Sequence, residues 1–311
     1  PPPGRLHLAL GEPMTRVLHI DGVTAGRTAW FGRKTPPLIS DLSLELCGAQ
    51  IGCLVGEVGP MGEMLARLLL SRTQPRDGRI TLEETVLTRA NRRRTRHRVA
   101  IWRGWQRAPI NPHRPVWEAV AEPLEVLLPR LSRADTQAYL ATALEALEID
   151  QALWSRVGAG LTPLEAQRVA LARALVTRPA MVLALEPGAG LDPTDRAKLI
   201  NRMIALKEAG TAILLLTHDL ALAEHLADWI GVIRAGRLVE IAPPEDLTLL
   251  PQHPYTELLL NCRPDLHGGT FTHPRGAGTL PPPGRAYLRL PPPEPAPNSD
   301  RRAADGSSEP A

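Results

Sequence analysis

The chain has 311 residues, a hydrophobic fraction of 43% and a formal net charge of +3. This length and this hydrophobic content allow one large core or two modest ones, and they exclude a fibrous or wholly disordered chain. The small net charge argues against general nucleic-acid affinity, so no nucleic-acid partner is predicted. The arginine-rich run at 92–98 is interpreted as the solvated face of a hairpin.

Two further classes are not expected. The sequence has no run of about eighteen apolar residues, which a membrane-spanning helix would need. Its first ten residues lack a basic region followed by an apolar core, so no secretion signal is expected and membrane association would come through a partner. The cysteines, Cys47, Cys53 and Cys262, show no paired metal spacing. Two lie in or beside a predicted buried strand, which is typical of reduced cysteines, so we expect a reducing compartment and assign no metal ligand.

Short β-rich runs alternate with helical stretches along the chain. In order, the β-rich runs lie at 16–23, 42–46, 51–55, 98–102, 181–185, 211–217, 229–233 and 237–241. A helical region from about 117 to 177 interrupts them. The alternation predicts an α/β fold around a mainly parallel sheet.

One segment of the helical region carries clear start signals. Ser132 is predicted as its N-cap, with Asp135 three residues later. Leu140, Leu144 and Leu147 then fall on one helical face, which predicts that this face is buried.

The stretch GEVGPMGEMLARLLL at 56–70 follows the apolar run IGCLV. An apolar strand, a glycine-rich turn and an amphipathic helix are how a phosphate-binding loop begins. The lysine and the hydroxyl that close such a loop are missing. The later segments therefore decide whether this turn belongs to a nucleotide site.

Those segments follow a recognisable order. The apolar strand at 181–185 leads to Glu186 and then to GAGLDPT, and a second apolar strand ends in His218 and Asp219. In this order and spacing the chain resembles the ATP-binding subunits of ABC transporters from about residue 17 to residue 262. PQHPYTELLL at 251–260 and INPHRPVWEAVAEPL are most similar to the branch that imports dipeptides, oligopeptides and nickel.

The resemblance implies a P-loop NTPase-like fold, in which a mainly parallel sheet is joined by an antiparallel β part and a helical subdomain at about 117–177. The nucleotide-binding domain would span 15–250, and a C-terminal segment typical of the branch would span 251–266. Residues 1–14 are predicted to be flexible. The proline-rich tail at 267–311 is predicted to be disordered because it is polar and poor in aliphatic residues.

The resemblance also implies ligands and partners. The ligand would be ATP with Mg²⁺. The partners would be permease subunits, a second ATP-binding subunit and, indirectly, a solute-binding protein. The chain would then lie peripherally at the cytoplasmic face of the membrane.

Site residues are carried over from the matching motifs. Glu186 matches the general base, Gln106 the glutamine that contacts the metal and the attacking water, and His218 the switch histidine. The predicted nucleotide-binding positions are Gly56, Glu57, Gly59, Gly62, Glu63, Met64, Asp192 and Thr162, of which Asp192 matches the D-loop aspartate. No aromatic residue falls at the expected adenine-stacking position near Gly26, unless Trp30 or Phe31 reaches it.

The phosphate loop departs from the pattern in either of two registers. Aligned without gaps, Met61 stands at the last glycine, Gly62 at the lysine and Glu63 at the magnesium-binding hydroxyl. A shift by one residue places Glu63 at the lysine and Met64 at the hydroxyl. Glu63 is predicted to lie where phosphate would bind. At ~4 Å and an effective dielectric of ~20 it would repel each phosphate charge by about 4 kcal/mol.

Two further motifs depart. Leu185 replaces the Walker B aspartate that would contact magnesium. LTPLE at 161–165 replaces the signature LSGGQ, in which backbone amides approach the partner's γ-phosphate. Thr162 as N-cap, Pro163 and Glu165 still predict a capping box at a helix start.

Three hypotheses follow. The chain is a working ATPase that energises peptide or nickel import, a non-catalytic paralogue that acts as a structural or regulatory partner, or an ABC-type subunit of a soluble multi-enzyme assembly. The departures favour impaired binding and hydrolysis of ATP, and the segments at 110–124 and 251–260 favour transport.

Overall fold

The computed structural model describes residues 15–26, 36–104 and 110–262 and the two-residue strand at 287–288. Gln106, Trp30 and Phe31 lie outside the described residues, as do the segment 1–14 and the rest of the tail. The predictions for them therefore stay predictions, and so do the predicted domain boundaries.

The described strands form two sheets. They are β1 (Arg16–Ala25), β2 (Ile39–Cys47), β3 (Ile51–Gly56), β4 (Asp77–Leu82), β5 (Thr85–Val86), β6 (Val99–Arg103), β7 (Met181–Leu185), β8 (Ala212–Leu216), β9 (Trp229–Arg234), β10 (Arg237–Ala242) and β11 (Tyr287–Leu288). The larger sheet has seven strands in the order β11-β10-β9-β3-β8-β7-β6, and β3 and β6 to β9 run parallel. The smaller sheet, β2-β1-β4-β5, is antiparallel.

The described helices are α1 (Gly59–Leu69), α2 (Arg92–Thr95), α3 (Val116–Leu127), α4 (Arg133–Ala146), α5 (Pro163–Leu175), α6 (Pro193–Glu208), α7 (Leu220–Leu226), α8 (Pro244–Leu249) and α9 (Pro254–Asn261). Two short 3₁₀ turns lie between α4 and α5. No helix of the described ranges is long and apolar enough to cross a membrane.

Two apolar clusters lie on opposite faces of the larger sheet. Successive residues of β3 point to opposite faces, so Cys53 packs in one cluster and Leu54 in the other. The cluster with Cys53 contains the apolar sides of α3 to α7, and the cluster with Leu54 contains α1 and the antiparallel sheet. The ends of the parallel strands are therefore held between two packed layers, and the loops that follow β3, β7 and β8 meet at one edge.

The sequence-based elements agree with most of this architecture. The α/β fold with a mainly parallel sheet is confirmed, as is an antiparallel β part. Ser132 caps α4 by accepting a hydrogen bond from the amide of Asp135 at 3.0 Å. Leu144, within α4, and Leu147, directly after it, are buried as predicted. Leu140 is partly buried against the same core.

Three details differ. The strands β4 and β5 were not predicted, because RITL is short and TV is exposed. The arginine-rich run is not a hairpin face, since it forms the helix α2 and then leads into β6. Within the tail, β11 pairs in parallel with β10 through Glu240 and Ile241.

Candidate functional site

The turn after β3 is fixed to the hairpin between β9 and β10. Gly56 has a φ of +98°, and a Cβ there would lie 2.4 Å from the carbonyl oxygen of Ile233, so this position requires glycine. The amide of Glu57 donates to the same carbonyl at 3.0 Å. The Glu57 side chain accepts a hydrogen bond from the amide of Ala235 at 2.8 Å, so this predicted nucleotide contact holds the hairpin.

The turn between β3 and α1, which is the predicted phosphate loop, is short because α1 begins at Gly59. The amide of Gly62 donates to the carbonyl of Val58 at 2.7 Å, and the amide of Val58 donates to the carbonyl of Gly56 at 2.9 Å. Pro60 has no amide proton. The amides of Val58 and Gly62 are therefore engaged within the chain.

Apolar side chains lie close to Gly62. A Cβ added to Gly62 would lie 3.0 Å from Cδ2 of Leu185 and 3.1 Å from Cδ2 of Leu216. Leu185 is only 5% exposed. Gly62, at the predicted lysine position in the ungapped register, and Leu185, at the predicted Walker B aspartate position, thus lie close to each other.

Glu63 is bound by an arginine that the sequence did not indicate. Nε and Nη2 of Arg103, at the end of β6, donate to the two carboxylate oxygens of Glu63 at 2.8 and 2.9 Å. These bonds lower the pKa of Glu63 and raise the pKa of Arg103. The expected repulsion of phosphate was therefore too large, because Arg103 compensates the charge on Glu63.

Met61 and Met64 do not belong to an open loop. Both lie in helix α1 and are buried in the apolar cluster beneath it, with Met61 2% exposed. The predicted nucleotide contact at Met64 is thus placed in the core.

Glu186, after β7, and His218, after β8, lie close together. The two carboxylate oxygens of Glu186 accept hydrogen bonds from the hydroxyl of Thr217 at 2.9 Å and from the amide of His218 at 3.0 Å. Nε2 of His218 lies 3.5 Å from Glu186. Glu186 has a φ of +48°, which is strained for a residue with a side chain.

These groups surround a cavity of about 420 Å³, here called the loop cavity. Its lining residues are Val58, Gly59, Pro60, Gly62, Glu63, Leu185, Glu186, Leu216 and His218. Of the predicted site residues, the structure brings together Gly59, Gly62, Glu63, Glu186 and His218. Among the described residues no group of three His, Cys, Asp or Glu side chains is placed to hold a metal ion.

The other predicted contacts are helix caps outside the lining of the loop cavity. Asp192 caps α6 by accepting from the amide of Asp195 at 2.9 Å. Thr162 and Glu165 form the predicted capping box at the start of α5.

Gln167 ties that helix to the turn after β7. Its side-chain oxygen accepts from the amide of Gly188 at 3.1 Å, and its Nε2 donates to the carbonyl of Ala189 at 3.1 Å. The sequence did not single out this residue. The sequence offered only a polar residue within the helical segment AQRVALARAL, and the structure shows that this residue is buried.

Asp219, directly after His218, binds Arg196 on α6 and caps α7 through the amide of Leu222 at 2.9 Å. Burial alone would raise the pKa of Asp219, but the hydrogen bonds from Leu222 and Arg196 outweigh burial and lower it. The carboxylate is therefore ionised and holds the end of β8 against α6.

Comparisons with known proteins agree with this geometry. A profile of the ABC transporter family matches residues 39–189. The chain is 30% identical over 268 residues to a probable peptide ABC transporter ATP-binding protein of Sinorhizobium fredii, an alignment that covers 84% of this chain and 71% of the relative. The chain belongs to the ABC transporter family of ATP-binding proteins. A second ABC relative, the dipeptide transport ATP-binding protein of Haemophilus influenzae, is 30% identical over 73% of this chain and 71% of its own length.

Solved structures of ABC proteins share the fold. The protein cbiO1 of Clostridium perfringens, part of an ABC transporter complex, aligns with a TM-score of 0.65 at 18% identity over 75% of this chain and 90% of its own. A dimeric ATP-binding cassette bound to ADP and Pi aligns with a TM-score of 0.62 at 20% identity, over 73% of this chain and 98% of its own. The predicted ABC ATPase fold is confirmed.

Proposed function

We propose that this chain is the ATP-binding type of subunit of a peptide import system, that it binds and hydrolyses ATP poorly, and that it acts as a structural or regulatory partner. It would associate with permease subunits and with a second ATP-binding subunit, at the cytoplasmic face of the membrane. A solute-binding protein would be an indirect partner. The peptide substrate class is supported by the relatives from Sinorhizobium fredii and Haemophilus influenzae, whose names describe peptide and dipeptide transport.

The contact between Gly62 and Leu185 carries the proposal. Phosphoryl transfer depends on a lysine and a metal ion that neutralise the developing charge on the phosphates. Here a glycine and a leucine occupy those two positions and pack against each other and Leu216. An apolar contact offers no charge to phosphate or to magnesium, so ATP-Mg²⁺ does not fit the residues present.

The loop itself supports the same proposal. The first turn of α1 engages the amide of Gly62, and Arg103 holds the Glu63 carboxylate at the wall of the loop cavity. Arg103 compensates the charge on Glu63, but its guanidinium is bound to this carboxylate and therefore does not replace the lysine that would bind phosphate.

The start of α5 supports a role in which this chain does not contact a nucleotide bound by its partner subunit. Glu165 accepts from the amide of Thr162 at 2.7 Å and donates its own amide to the Thr162 hydroxyl at 3.3 Å. These bonds engage the amides of Thr162 and Glu165 within the chain, and Pro163, which stands at the first glycine of the signature, has no amide to donate. Even a partner with an intact phosphate loop would therefore receive little from this surface.

One observation favours the alternative of a working ATPase. Glu186 and His218 stand 3.5 Å apart at the wall of the loop cavity, where the family has its general base and switch histidine. The hydrogen bonds of Glu186 to Thr217 and to the amide of His218 also account for its retention, since they join the ends of β7 and β8. The two explanations differ in what Glu186→Gln does.

The deciding experiment measures ATP turnover of the purified transporter complex with Glu186→Gln in this chain. We expect the rate to stay nearly unchanged, because this carboxylate orients no attacking water. The matched control is the equivalent glutamate-to-glutamine change in the second ATP-binding subunit, which should lower the rate by orders of magnitude. A collapse caused by Glu186→Gln would show that this chain hydrolyses ATP.

A second experiment titrates the purified chain with ATP and Mg²⁺ by calorimetry. We expect binding far weaker than micromolar. A micromolar dissociation constant would contradict the proposal, whatever the outcome for turnover.

A further inference from the structure

The strand β10 is paired on its outer side by a segment of the chain's own tail. On its inner side β10 pairs with β9, and on its outer side it pairs with β11 in parallel. Glu240 and Ile241 of β10 lie opposite Tyr287 and Leu288 of β11. In the described part of the chain no other strand pairs with β10. Without β11, β10 would therefore be the edge strand of the seven-stranded sheet.

Only the start of β10 has features that protect a strand edge. Arg237 is exposed, and the pairing with β9 shifts register between Leu238 and Glu240. From Glu240 to Ala242 the strand has neither lysine nor proline, and all three residues are buried. The Glu240 carboxylate does not guard the edge, because it accepts hydrogen bonds from the amides of Gln252 and His253, at 2.8 and 3.0 Å. A regular edge of this kind pairs with another strand unless it is covered.

The tail sequence contains one segment suited to cover this edge. In PPPGRAYLRLPPP at 281–293, a short apolar run stands between two groups of three prolines. This run holds Tyr287, Leu288 and Leu290, which are three of the five large apolar residues of the stretch 267–311. Proline donates no hydrogen bond to a β-ladder, so the added strand is limited to residues 285–290. Such a strand covers an edge without offering a long new one.

The path of the chain favours its own tail over that of a second copy. The helix α9 starts beside Glu240, where the amide of His253 is bound, and its eight residues extend for about 12 Å. Its end at Cys262 therefore lies within about 25 Å of β11. A random coil of the length of 263–286 spans roughly 27 Å. Because span and length match, the tail meets β10 at an effective concentration of roughly millimolar order.

We propose that the outer edge of β10 at 240–242, here called the edge site, is a peptide-binding site. Its occupant is the chain's own segment 285–290, which adds to the sheet as a strand and prevents any other strand from pairing there. Strand addition takes its affinity from backbone hydrogen bonds and its specificity from alternate side chains. No nucleotide enters this proposal, so it stands apart from the proposed function.

Hydrogen exchange of the purified full chain tests the pairing. The variant Tyr287→Pro with Leu288→Pro removes both backbone donors of β11. We expect the outer amides of the fragment 237–242 to exchange about tenfold faster than in the unmodified chain. The matched control is Thr279→Pro with Leu280→Pro, which places the same two prolines in the same tail outside β11 and should leave the exchange unchanged. Unchanged exchange in the first variant, or equal acceleration in both, would overturn the proposal.

A mixing experiment separates the chain's own tail from that of a second copy. The double-proline variant at 287 and 288 is mixed with a tenfold excess of isotope-labelled unmodified chain. The proposal predicts that β10 of the variant still exchanges fast, because each unmodified tail remains on its own sheet. Restored protection would assign the edge site to the tail of another copy and would refute the inference.

A synthetic peptide of residues 281–293, labelled with fluorescein, measures the affinity of the edge site. Tenfold protection by a tail at about 1 mM effective concentration requires a Kd of about 0.1 mM or lower. Fluorescence anisotropy should therefore show this affinity for the double-proline variant and about tenfold weaker binding to the unmodified chain, whose edge site is occupied. Failure to bind the variant, or equal binding to both chains, would contradict the proposal. None of these measurements uses ATP or a permease, so their failure leaves the proposed function untouched.

Discussion

Restoring a glycine to the phosphate loop should destabilise this chain. In the ungapped register Met61 is predicted to stand at the last glycine of the phosphate-loop pattern, yet it is 2% exposed and packs in the core beneath α1. Removing a buried Met side chain costs about 2–5 kcal/mol. Glycine in place of alanine in a helix costs about 1 kcal/mol more. We therefore expect Met61→Gly to lower the free energy of unfolding by about 3–6 kcal/mol, a large part of the 5–15 kcal/mol typical of a domain.

Urea denaturation of the purified chain measures this loss. The matched control is Gly59→Ala in the same helical turn, because a Cβ on Gly59 meets no atom within 4 Å. It should change the free energy of unfolding by less than about 1 kcal/mol. A loss below about 1 kcal/mol for Met61→Gly would refute the reasoning, because it would mean that the loop can open without disturbing the core.

The same logic limits repair of the nucleotide site. A lysine at position 62 would bring its Cβ within 3.0 Å of Leu185, which would have to move. Met61→Gly combined with Gly62→Lys and Glu63→Ser is therefore expected to recover some ATP binding and little turnover, in a chain of reduced stability.

Two predictions concern other positions. Gly56→Ala should cost several kcal/mol in urea denaturation, because its Cβ would approach the Ile233 carbonyl to 2.4 Å at a φ of +98°; a loss under 1 kcal/mol would contradict the close approach. Burial lowers the pKa of His253, whose Nδ1 accepts from the amide of Tyr255 at 3.0 Å. Neutral His253 therefore contributes to the free energy of unfolding at pH values above 6.5, the ordinary histidine pKa. This contribution is lost as the pH falls through the lower pKa that His253 has in the folded chain. His253→Asn keeps a cap that does not titrate, so it should flatten this part of the stability-pH curve, and an unchanged slope would contradict the assignment.

Local patterns predicted most strands and helix starts of this fold. The strands β3, β7 and β8 were recognisable because buried parallel strands are continuous apolar runs. Ser132 and Thr162 were recognisable because a cap and its partner lie three residues apart. The strand β5 was missed because two exposed residues carry no periodicity.

The site could be predicted only in part, because its decisive contacts join distant segments. The sequence predicts that Gly62 and Leu185 stand at charged positions of the family pattern, but it does not indicate that they lie close together. Arg103 lies 40 residues from Glu63, and no local pattern links them. The sequence therefore predicts departures from the family pattern one position at a time, while the structure shows which side chains lie around those positions.

The hydrogen bonds of Gln167 have a consequence for solvent exchange. The turn after β7 is irregular, and the amide protons of such turns are usually among the fastest to exchange with solvent in a protein. The amide of Gly188 instead donates to the buried Gln167 side chain, so it can meet deuterium only when α5 separates from the turn. Its exchange in native conditions should match that of amides inside α5. Gly190 two residues later, in the same turn, serves as the internal comparison and should exchange fast.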